Sequence, residues 1–168
     1  MAIKYVFSGD RFVMFSVVHD PLTICDLINW WARVKTDLEV LKIDQYVQLV
    51  DSRNVSSMQV SRIELRNFLS RVSDQARFLP RQSAIWTRHD AHRQLRDFGQ
   101  RIGTRLTREV GITQEVLTFV DLDIACHWLG ADDYHVRQAD SLFMDAEILP
   151  GNKSSKNEKP YQTGNLRY

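Results

Sequence analysis

A chain of 168 residues is long enough for one domain with a proper core and too short for two ordinary ones. An apolar share of 43% and a charged share of 26% exclude wholesale disorder, and a net charge of +1 gives no global reason to expect nucleic acid or an anionic membrane as partner. Cys25 and Cys126 lie far apart with no metal or redox spacing, which reads as small buried hydrophobes in a reducing compartment.

The apolar start, Met1 to Phe7, is broken by Lys4 and then by Gly9, Asp10 and Arg11. It is too short for a signal peptide or a membrane span, so no stable membrane insertion and a cytoplasmic location are expected. Ile3 to Phe7 and Arg11 to Val18 read as a hairpin around the turn residues Ser8, Gly9 and Asp10. A helix follows, with Thr23 as N-cap, Asp26 in the capping-box position and Leu22 and Leu27 as hydrophobic staple. Leu27, Ile28, Trp31, Val34 and Leu38 continue it as an apolar stripe.

Tyr46 to Val50 reads as a buried central strand. The next helix is expected to start at Ser56, paired with Gln59 as a capping box between Val55 and Val60. Ser83 to Thr87 is a further strand. Asp90 then caps a long helix carrying Ala91, Leu95, Phe98, Ile102 and Leu106 on one face. Gly99 and Gly103 lie in that helix at a stability cost that close packing would explain. Val116 to Val120 is the fifth strand, and Asp121 to Leu129 a short helix with Gly130 at its C-terminal cap. Residues 132–148 add a helix.

This order predicts an α/β fold: a single mixed sheet of about five strands, with an N-terminal antiparallel hairpin, then βαβ crossovers, and four to five helices. The expected organisation is one α/β domain over 1–130, a C-terminal helical extension over 131–149, and a flexible tail over 150–168.

The segment Phe119-Val120-Asp121-Leu122-Asp123-Ile124-Ala125-Cys126-His127-Trp128-Leu129-Gly130 resembles the closing motif of the SpoIIAA-like, or STAS-like, bacterial domains. Upstream features stand in the matching order: the hairpin, the Leu22-Thr23 helix start, the strand ending Val50-Asp51-Ser52-Arg53, and Ala84-Ile85-Trp86. These domains are relatives of the anti-sigma-factor antagonists and, more distantly, of lipid-binding CRAL-TRIO domains. The resemblance implies a non-catalytic regulatory domain that binds a protein partner or a small ligand. Antagonists of this kind carry Asp-Ser-x-Gly with a phosphorylated serine in the loop after the third strand. Here Asp51-Ser52-Arg53-Asn54 has no glycine, a departure that bears on the phospho-switch.

Four surfaces are candidates for function. The loop carrying Asp51, Ser52, Arg53, Ser56 and Ser57 lies at a strand's C-terminal end and a helix N-terminus, where open α/β sheets collect ligands. Its plain alternative is that Ser56 only caps and Asp51 pairs with Arg53. Eight arginines between 77 and 108, against eight acids and one arginine between 111 and 150, segregate charge that the total hides. With no lysine and no binding motif in the basic stretch, this favours solvated faces or a homodimer contact over nucleic acid. Trp30, Trp31, Trp86 and Trp128 could line a ligand pocket, though Trp31 and Trp128 are more often core anchors. An exposed Trp30, together with Arg88 and Arg93, is a candidate contact surface.

His89 with His92, and Asp123 with His127, could share helix faces, but no third ligand makes a metal site. Cys126 and His127 are neighbours that point apart on a helix, and no nucleophile elbow, P-loop or dinucleotide fingerprint occurs. No catalytic residue, cofactor or metal is therefore expected. The alternatives to a regulatory domain are a small-molecule or lipid carrier, recognisable by an apolar cavity between sheet and helices, and an enzyme using Asp51 with His19 or His89.

Overall fold

The computed structural model describes residues 2–55, 58–88 and 114–147. Strands β1 (Ile3–Phe7) and β2 (Val13–Val18) form the antiparallel hairpin, in register from Ile3 opposite Val18 to Phe7 opposite Met14. Their turn is tied locally. Asp10 accepts from the Ser8 hydroxyl and the Phe12 N–H, while Ser8 N–H donates to Val13 O. The two-residue strand β3 (Leu22–Thr23) leads directly into helix α1 (Ile24–Leu41). The Thr23–Asp26 capping box is formed in both directions, and Trp31, Val34 and Leu38 are buried along one stripe.

Strand β4 (Val47–Asp51) pairs parallel with β2. The second helix, α2, spans Arg62–Ser73 and is capped by Ser61 with Glu64, not by Ser56 with Gln59. The reason is tertiary. Met58–Gln59 forms a two-residue strand, β5, parallel to β3, so Gln59 is extended and does not occupy a helical third position. Ser56 and Ser57 lie outside the described residues. A single 3₁₀ turn, Ala76–Phe78, precedes β6 (Gln82–Trp86), and β7 (Glu115–Phe119) completes the sheet. Helices α3 (Leu122–Trp128) and α4 (Asp133–Glu147) follow. The expected helix after Asp90 and the tail from 150 also lie outside the described residues.

The main sheet has the order β1-β2-β4-β6-β7, antiparallel at the hairpin and parallel thereafter. The parallel strands advance in one direction across the sheet. Right-handed crossovers that advance one way place their helices on one face, so α1 and α2 share a face. That face buries Met14, Trp31, Val34, Leu38, Tyr46, Phe68, Leu69 and Val72. The opposite face packs Val13, Phe15, Val47, Leu49 and Ala84 against Leu122, Ala125 and Leu129 of the α3 region and Ala139 and Phe143 of α4. The mixed sheet of the sequence reading is thus observed, with helices on both faces.

Candidate functional site

The loop after β4 is built around one buried carboxylate. Asp51 is 1% exposed, and both its oxygens go to Arg53: Nε to Oδ1 at 3.1 Å and Nη2 to Oδ2 at 3.0 Å. The Arg53 backbone N–H adds a third bond to Oδ1 at 3.0 Å. The guanidinium carbon lies 3.6 Å from the centroid of the Trp86 ring, so the cation is held by a bidentate pair and an aromatic face together. Ser52 is buried, and its hydroxyl and backbone N–H both donate to Trp86 O at 2.9 Å. Asp51, Ser52 and Arg53 therefore come together as the sequence reading has them, and their polar groups bond to one another and to β6.

A second arrangement lies on the α1/α2 face. Each of three neighbouring strands carries one buried polar residue on that face: Ser16 on β2, Gln48 on β4 and Ser83 on β6. Gln114, just before β7, is the fourth. The parallel register aligns them into a ladder. Gln114 Nε2 donates to Ser83 Oγ (3.4 Å), Ser83 Oγ to Gln48 Oε1 (3.2 Å), and Gln48 Nε2 to Ser16 Oγ (3.2 Å). Every donor points toward β2, so an acceptor is left at the far end. Gln114 is 7% exposed, and its Oε1 has no hydrogen-bond partner among the described residues.

Above this ladder lies a cavity of about 160 Å³ between the sheet and helices α1 and α2. Its apolar walls include Leu22, Leu27, Val55, Leu65, Phe68 and Ile85, and all four ladder residues line it. Among the described lining residues none is ionisable. Trp30 lines it too, with Nε1 buried and without a partner among the described residues. Trp30 is thus half-buried at the cavity, whereas Trp31 is buried and donates its Nε1 proton to Gln75 Oε1 at 3.0 Å. The ladder escaped the sequence reading because Ser16 and Gln48 are single polar residues in apolar runs and Ser83 and Gln114 lie at strand starts among other polar residues. Only the strand register shows that they meet.

The remaining candidates are placed as follows. Arg88 is exposed after β6, and Arg93, His89 and His92 lie outside the described residues. Among the described residues no group of three or more His, Cys, Asp or Glu side chains is arranged to hold a metal ion. Burial lowers the His19 pKa, with Lys4 adding to the effect and Asp51 opposing it. The buried Cys126 thiol is pushed up to about 11, first by burial and then by Asp123 and Asp140, which keeps it a thiol and a poor nucleophile at neutral pH. His135, buried at the start of α4, bridges Asp10 (Nε2 to Oδ2, 3.0 Å) and Asp132 (Nδ1 to Oδ1, 2.7 Å), and so clasps α4 to the hairpin turn. No helix among the described residues is long and apolar enough to cross a membrane.

No family model matches this chain, and no curated protein does. Among solved structures it is similar to a DUF3478-family protein with a SpoIIAA-like fold from Shewanella loihica PV-4. The two are 18% identical, the match covers 76% of this chain and 92% of that one, and the TM-score is 0.52. With the sheet order, the capped α1 and the closing Asp121–Leu129 segment already in place, the likeness establishes that the chain has a SpoIIAA-like fold.

Proposed function

We propose that this chain is a non-catalytic binding module whose ligand is a small molecule held between the sheet and helices α1 and α2. The observation that carries the reading is the cavity of about 160 Å³ between the sheet and helices α1 and α2, whose described lining is almost wholly apolar. A cavity of about 150 Å³ is large enough to hold a single aromatic ring. Native mass spectrometry of the full chain, purified gently, tests the reading. It expects a non-covalent adduct that disappears on denaturation, and a bare native mass that stays bare after incubation with small aromatic compounds would count against it.

A second reading keeps the module regulatory, with a protein partner meeting the Asp51–Arg53 loop. It is favoured by the Arg53 guanidinium, held between the Asp51 carboxylate and the Trp86 face at the sheet's C-terminal edge. Ser52 and Val55 belong to the same loop and line the cavity, so an occupied cavity would touch the segment a partner reads. Pull-down with wild-type and Trp86→Leu chains separates the two, because only the partner reading requires Trp86.

A further inference from the structure

Two exposed patches of matching chemistry lie on opposite faces of the sheet, and neither belongs to the cavity lining. We propose that they join copies of this chain head to tail, with the outer face of α2 in one copy seated on the β7–α3 edge of the next.

The first patch is apolar with an acidic rim. Leu117 and Phe119 share one side of β7, an edge strand of the sheet among the described residues. The Phe119 ring lies against the Trp128 ring of α3 at 5.5 Å, and Ile124 stands one helical turn before Trp128. The patch is open to solvent, with Ile124 at 59% exposure and Leu117 at 43%. Glu115 on the same side of β7, and Asp121 and Asp123 at the start of α3, are exposed around it.

The second patch is apolar with a basic rim. Ile63, in the first turn of α2, is 70% exposed. The exposed Arg62 and Arg66 flank it, one adjacent and one a helical turn on. Among the described residues neither arginine has an ion-pair partner, and neither has Asp123. Joining the patches would remove apolar area from water on both sides and set arginines against carboxylates. Within one chain they cannot meet. Helix α2 packs on one face of the sheet through Phe68, Leu69 and Val72, and α3 on the other through Leu122 and Ala125. Two different patches that face apart make a heterologous contact, which adds copies beyond two as a ring or an open chain.

Sedimentation velocity of the full chain tests this. At low salt the average mass of the wild-type chain should rise with concentration past that of a dimer. Raising NaCl from about 0.05 M to about 0.5 M shortens the screening length about three-fold and should drive the assembly back toward monomer. Ile63→Asp and Ile124→Asp each place a carboxylate in the centre of one patch. Both positions lie in a first helical turn, where an aspartate is favourable, so both chains should fold. Each variant alone should stay monomeric. Mixed, they should form a two-chain species and nothing larger, because each keeps the patch that the other lacks. The pair Arg66→Glu and Asp123→Lys should repeat the pattern, and it stands in if an isoleucine variant does not fold. A wild-type chain that stays monomeric, stops at a dimer or ignores salt overturns the proposal. A mixture that stays monomeric, or grows past two chains, overturns it as well.

Discussion

The two faces of the sheet are made from the same strands and differ in what they bury. Toward α3 and α4, alternate residues Val13, Phe15, Val17, Val47 and Leu49 meet Leu122, Leu129 and Phe143 in an apolar layer, with the Phe15 and Phe143 rings edge to face at 6.2 Å. Toward α1 and α2, the intervening residues Ser16, Gln48 and Ser83 put hydroxyls and amides at the same depth, beneath a cavity. Pure stability does not call for that second arrangement. Apolar residues of similar volume would fill the space without leaving an orphan. Both faces carry a packed core, and among the described residues it is the α1/α2 face that also carries the polar ladder and the cavity.

Truncating one leucine on each face separates the two. Leu49→Ala, at 0% exposure on the solid face, should lower the unfolding free energy by about 3–5 kcal/mol in urea titrations, with no recovery on adding benzyl alcohol. Leu69→Ala, which opens onto the cavity, should cost less, about 2–3 kcal/mol, and be partly restored by benzyl alcohol through mass action. Equal losses with equal rescue would erase the distinction between the faces.

Asp51→Ala comes next. It leaves the Arg53 guanidinium, whose side chain is 20% exposed, without its bidentate partner, and should cost about 2–4 kcal/mol. A loss below about 0.5 kcal/mol would mean that the loop does not depend on the pair.

A smaller effect is pH-dependent. Desolvation acts to raise the Asp10 carboxyl, but bonds from Ser8, the Phe12 N–H and His135 outweigh it and hold the pKa at about 2, below the ordinary 3.8. A carboxylate depressed in the folded state adds stability above its unfolded value, and that stability is lost as pH falls from about 4 to about 2. The side chain is 49% exposed, so solvent screening reduces the contribution to on the order of 1 kcal/mol. Asp10→Asn should flatten the acid limb of the stability curve by that amount, and an unchanged limb would contradict the assignment. Smallest of all, Gln114→Leu should leave the unfolding free energy unchanged or raise it by up to about 1 kcal/mol, because it removes an orphaned acceptor. A loss of several kcal/mol would show that the ladder is structural.

Much of the fold was legible because its signals are local. The Thr23–Asp26 capping box and the hairpin turn each act within a few residues, and each is where the sequence puts it. Ser56–Gln59 and Ser61–Glu64 carry the same local pattern, and the choice between them is made by β3 pairing with β5, which no local pattern encodes. The Asp51–Arg53 pair was legible for the same reason of proximity. The ladder was not. Ser16, Gln48, Ser83 and Gln114 are spread over nearly a hundred positions, and their meeting depends on the register of four parallel strands. Trp30 is half-buried and lines the cavity, a place the sequence pattern alone does not distinguish from an exposed contact surface.

Amide NMR of the full chain titrated with benzyl alcohol asks whether the α1/α2 face takes a ligand and the α3/α4 face does not. The Trp30 indole N–H and the backbone signals of Ser83, Gln114 and Val116 should move together along one saturating curve, while those of Ala125, Ala139 and Phe143 stay in place. Shifts that never saturate, or that centre on Ala139 and Phe143, would contradict it.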